Sequence, residues 1–146
     1  MPNGLVIGTV IRAYVEFTGK EKRFIVVGFY QDGINTAVIL INTDVNLNIN
    51  YSSELRNEHI FFQSKGRGYL THDCFVDCTE LHPIPINEIM NKFNDKPEIC
   101  IGQLSKTDLD IVMKKLLDSD VIKGKYKKKI GLFDYEFDQE INEAAE

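Results

Sequence analysis

At 146 residues, with 43% apolar and 27% charged side chains, the chain has the makeup of one ordinary globular domain that buries about two-thirds of its unfolded surface. Its longest apolar runs, such as Ala37 to Ile41, fall far short of the ~20 residues a membrane span needs, and Arg12 interrupts the only apolar stretch near the start, so no membrane contact and no signal peptide are expected. The net charge of −5 is uneven, because Asp134 to Glu146 hold six acids and no Lys or Arg, leaving 16 acids against 17 bases elsewhere. A single domain over 1–133 followed by an acidic tail over 134–146 is the expected organisation.

Gly8 to Phe17 alternates imperfectly and predicts a first strand, and Thr18 to Glu21 a turn. Lys22 to Tyr30 predicts a second strand, which the Asp32-Gly33 step turns back, since both residues tolerate positive φ. Thr36 to Asn42 is a continuous apolar run, expected to be a third strand buried on both faces. These hairpin-linked strands make an antiparallel meander. Asp44 to Glu58, rich in Asn and Ser, predicts a loop long enough to carry function. His59 to Gln63 predicts a short strand, Ser64 to Gly68 a glycine-rich turn, and Tyr69 to Cys78 another strand. Pro83 and Pro85 then punctuate the chain before its first helix.

Two helices complete the pattern. Ile86, Ile89, Met90 and Phe93 have the spacing of a short amphipathic helix. Ser105 and Asp108 have capping-box spacing, and Leu109, Val112, Met113, Leu116 and Leu117 form one apolar face over Lys106 to Leu117. Asp108, Asp110, Lys114 and Lys115 are expected to face water. The basic run Lys123 to Lys129 reads either as a solvated loop or as nucleic-acid contact screened by the acidic tail.

Cys74, Cys78 and Cys100 cannot all pair, and Cys74 and Cys78 would lie ~13 Å apart on one strand, so reduced thiols in a cytoplasmic protein are expected. The same rise per residue keeps His72, Cys74, Cys78 and His82 from sharing one metal ion, so no metal and no cofactor are expected. A Cys-His nucleophile pair would lack an oxyanion-hole loop. Ser64-Lys65-Gly66-Arg67-Gly68-Tyr69 interleaves bases and an aromatic around glycines, which suits phosphate contact and base stacking as well as it suits a plain hairpin turn.

Three segments, taken in order, resemble the MazF/PemK (Kid) family of small bacterial toxins. Lys22-Arg23-Phe24-Ile25-Val26-Val27 is similar to the family's Arg-Pro-Val-Leu-Val strand. Ile39-Leu40-Ile41-Asn42-Thr43 is similar to its Thr-ended third strand, and Ile101-Gly102-Gln103-Leu104-Ser105 to the start of its closing helix. The resemblance spans roughly residues 8 to 117. It implies a mainly β fold with helices, an SH3-like barrel closed by a C-terminal amphipathic helix. It also implies a homodimer held in check by an antitoxin protein, and metal-independent cleavage of single-stranded RNA.

Carried onto this chain, the family's Arg and Thr are Arg23 and Thr43. A guanidinium neutralises charge building on a phosphoryl oxygen, a hydroxyl donates to the same oxygens, and an acid or base moves the proton. Asp77 matches the family's strand Asp, but the strand Arg is Cys74 here, and the Pro after the first Arg is Phe24. The departure leaves open weak cleavage, cleavage with His72 in place of the missing Arg, or binding of RNA or a protein without cleavage. Candidate catalytic residues are therefore Arg23, Thr43, His72 and Asp77. Candidate RNA contacts are Lys20, Lys22, Lys65, Arg67 and Tyr69. Arg23 could equally be a snorkelling surface residue, and Thr43 a cap on the turn into Asp44.

Overall fold

A computed structural model describes residues 5–138. Among these residues, six antiparallel strands form one curled, half-barrel sheet in the order β4 (His59–Phe62), β5 (Cys74–Pro85), β3 (Asn35–Asn42), β2 (Lys20–Phe29), β1 (Thr9–Val15) and β6 (Cys100–Gln103). The expected meander is present as β1 (Thr9–Val15), β2 (Lys20–Phe29) and β3 (Asn35–Asn42). At the second hairpin the Asp32 carboxylate accepts the amides of Ile34 at 2.7 Å and Asn35 at 3.1 Å, while Gly33 takes a φ of 71° that a side chain would resist.

The double-sided burial of β3 divides the core in two. Ile39 and Ile41 join Ile25, Val27 and Val76 under the helix α3 (Lys106–Asp118), whose Leu109, Val112, Met113 and Leu116 are buried there. Val38 and Leu40 join Phe24, Val26 and Ile11 on the other face, covered by Ile89 of the helix α2 (Ile86–Asp95). Both helices fall where their apolar spacing places them.

Four expectations need correction. The long loop contains the helix α1 (Ser53–Asn57), started by the Ser52 hydroxyl accepting the Leu55 amide at 3.2 Å. After β4 (His59–Phe62), the strand β5 begins at Cys74 rather than Tyr69 and runs to Pro85. Residues 69–73 are loop because Tyr69 and Leu70 are both buried in succession, and the Tyr69 carbonyl serves a side chain instead of a ladder. Pro83 and Pro85 sit inside β5 because β4 pairs only with Cys74 to Asp77. Beyond that point β5 is an edge, where a missing N–H leaves no gap in a ladder.

The acids at the start of α3 are the fourth correction. Asp108 and Asp110 are 8% and 2% exposed, not solvated. Asp110 holds the C-terminal segment: the Tyr135 hydroxyl donates to its Oδ1 at 2.6 Å and the Asp138 amide to its Oδ2 at 3.1 Å. Lys106 reaches the same carboxylate at 3.2 Å. Burial opposes ionisation of Asp110, but these partners outweigh it and hold the carboxyl below its ordinary value of 3.8. Such a group contributes stability above that value, lost as pH falls through the lower folded one. Tyr135→Phe is expected to cost about 1.5–3 kcal/mol in urea denaturation at neutral pH, and less in acid below the folded value. Tyr135 and Phe137 also pack against the core, so part of the acidic segment belongs to the body; Glu140, Glu143 and Glu146 lie outside the described residues.

The basic run forms the helix α4 (Gly124–Lys129). Lys127 is buried and donates to the carbonyls of Leu117 and Ser119 at 2.7 Å each, closing the end of α3. Lys123, Lys125, Lys128 and Lys129 remain exposed. Where α4 meets the sheet, a Cβ on Gly28 would lie 2.9 Å from the Ile130 carbonyl and 3.0 Å from its Cβ. Gly28→Ala is therefore expected to cost about 1–3 kcal/mol by chemical denaturation.

Candidate functional site

Arg23 stands on β2 opposite Arg12 on one side and Ile41 on the other, so it shares the α3 face of the sheet. It is half-buried, and its Nε donates to the Tyr69 carbonyl at 3.1 Å. That bond fixes the plane of the guanidinium and uses one of its nitrogens, leaving the two terminal ones without a hydrogen bond among the described residues. Thr43 follows β3 directly and is exposed, with its Oγ1 2.9 Å from His72 Nε2. His72 Nδ1 lies 3.0 Å from the Thr71 hydroxyl. An imidazole flanked by two hydroxyls, each able to give or take a proton, can sit in either tautomer.

The loop 63–73 thus carries both the carbonyl that fixes Arg23 and the ring that meets Thr43. It ends at Cys74, whose thiol donates to the His72 carbonyl at 3.1 Å. Burial raises the Cys74 pKa, with Arg23 and Lys22 opposing. Beside Arg23 the position therefore holds a neutral thiol rather than a second cation.

Asp77 is elsewhere. It pairs with Leu40, on the α2 face of the sheet. Its Oδ1 accepts the Thr79 amide at 2.9 Å and hydroxyl at 2.6 Å, and lies 3.6 Å from His59 Nε2. Lys22 shares that face, hydrogen-bonded to Asn42 Oδ1. Its ammonium pKa is lowered by burial and by Lys20, against the pull of Asp77. The candidate catalytic residues are thus split, with Arg23, Thr43 and His72 on one side and Asp77 on the other.

Of the candidate RNA contacts, Lys20 and Lys65 are exposed. Arg67 is engaged internally with Asp108 at 2.8 Å. Tyr69 is 7% exposed, and its ring lies against Gly102, where an added Cβ would come within 3.2 Å of the ring Cδ1. Burial raises the Tyr69 hydroxyl pKa to about 12. A ring this buried does not offer an open face for base stacking.

Two side-chain contacts escape a reading of the sequence. His59 is held by the Leu55 carbonyl at 3.0 Å and set opposite Asp77 by the β4–β5 register. Asp108 looks like a solvated helix-start acid until Arg67 is brought to it. Neither a scan against protein-family models nor a search of curated proteins finds a match to this chain.

Proposed function

We propose that the chain is a metal-independent endoribonuclease of the MazF/PemK kind, an SH3-like barrel acting on single-stranded RNA as a homodimer and restrained by an antitoxin protein. The observation that carries this reading is the Thr43–His72 hydrogen bond on the loop that also fixes Arg23. In the reaction, a ribose 2′-OH attacks the adjacent phosphorus and the bond to the 5′-oxygen breaks. His72 takes the 2′-OH proton, and a proton returns to the leaving oxygen. The free nitrogens of Arg23 neutralise the charge on the phosphoryl oxygens, and Thr43 orients the ring or donates to the same oxygens.

A single-turnover assay on mixed-sequence RNA in EDTA tests it. Cleavage is expected to survive EDTA and to fall with His72→Ala by about 10²–10⁴-fold, the range of general acid–base catalysis. Absence of cleavage by the wild-type chain at stoichiometric concentration would sink it.

The second reading, an RNA- or protein-binding module without catalysis, is favoured by the position of Asp77, which leaves His72 as the one proton carrier proposed beside Arg23. Either form of RNA contact predicts salt dependence. If the four exposed lysines of 123–129 engage phosphates, the log–log slope for single strands is about −3. Anisotropy titrations at two salt concentrations measure it, and equal affinities would exclude nucleic acid from either reading.

A further inference from the structure

Arg67 has no nitrogen to spare. Its Nε and Nη2 grip the two oxygens of Asp108 at 2.8 and 2.9 Å, and its Nη1 donates to the Gln63 carbonyl at 2.9 Å. The guanidinium also lies 4.3 Å from the centre of the Phe62 ring. A two-pronged bond between a planar guanidinium and a carboxylate sets orientation as well as distance, which a lysine in the same place would not do.

Asp108 is itself fixed. Its amide donates to the Ser105 hydroxyl at 3.1 Å, and the next residue, Leu109, is anchored in the core. Below Arg67, the loop is closed at its root by the Ser64 amide on Asp73 Oδ1 at 2.8 Å. Above it, the Leu70 amide donates to the Arg67 carbonyl at 3.0 Å, which shapes the turn that presents the Tyr69 carbonyl to Arg23. His72 follows two residues after Leu70.

We infer that Asp108 is a positioning residue: by holding Arg67 it fixes the loop whose Tyr69 carbonyl aims Arg23 and whose His72 ring meets Thr43. It touches no reacting atom. The inference rests on the RNA-cleavage reading, and its test has a readout that does not depend on cleavage.

Three variants serve: Asp108→Asn, Arg67→Lys, and the conservative Asp108→Glu. Each is assayed for kcat and KM on RNA, and for the exchange rate of the Arg23 Nε–H signal in proton–nitrogen NMR spectra, assigned by its loss in Arg23→Ala. Asp108→Asn and Arg67→Lys are expected to lower kcat by about 10- to 100-fold, the scale of a small misplacement, with KM changed by less than about twofold. Both are expected to speed exchange at Arg23, whereas Asp108→Glu keeps most of the activity and the slow signal. If exchange responds as described while the wild-type chain cleaves no RNA, the positioning of Arg23 by Asp108 stands and the cleavage reading falls. Folded Asp108→Asn and Arg67→Lys proteins with wild-type kcat and wild-type exchange would overturn the inference. If Asp108→Asn does not fold, Arg67→Lys decides; if neither folds, the pair only stabilises the fold and the inference is lost.

Discussion

Arg23→Ala is expected to lower RNA cleavage by about 10²–10³-fold, the loss typical of removing one well-placed donor to a developing oxyanion. Stability should barely change. Arg23 is half-buried, and the one side-chain hydrogen bond it makes among the described residues, to the Tyr69 carbonyl, is worth about 1 kcal/mol net. The loss of activity should therefore exceed anything the loss of fold explains. Arg23→Lys sharpens the test, since it keeps the charge but loses the planar fork. Single-turnover rates and thermal midpoints, measured together, decide it. A variant that unfolds makes Arg23 structural; one that cleaves at the wild-type rate removes it from the chemistry.

The largest effect on the fold is expected from Leu116→Ala. Leu116 is 0% exposed and sits with Val112 and Met113 on the buried face of α3. Truncation there should cost about 2–5 kcal/mol, from lost transfer energy plus the cavity left behind. In a domain of this size that lowers the thermal midpoint by roughly 10 °C. A cost below about half a kcal/mol, the range of surface substitutions, would mean that this face is not core in solution.

What could be read in the sequence was what local spacing determines. The meander arises from apolar runs broken by turn residues, and α3 from Ser105 and a 3.6-residue repeat. What escaped depends on residues far apart in the chain. Tyr69 and Leu70 looked like the start of a strand, yet both are buried in a loop whose Arg67 pairs with Asp108, 41 positions away. Asp110 looked solvated because Tyr135, its partner, lies 25 positions on. Thr43 and His72 are 29 apart and meet only once the sheet forms. The separation of Asp77 from that pair was partly legible: an odd spacing from His72 puts the two on opposite faces of any continuous strand.

Pro83 and Pro85 have a bearing on how this molecule behaves in a crowd. On this stretch the amide of Ile86 turns inward to the Ile34 carbonyl, and by strand alternation residues 83 and 85 turn outward. Bare outward amides would give a neighbouring chain a row of donors to extend, the first step of edge-to-edge aggregation. Two imide nitrogens in that row interrupt the template. Any growth of the sheet by a second molecule is then steered away from the far half of its longest strand and toward the four-residue edges, β4 and Cys100–Gln103.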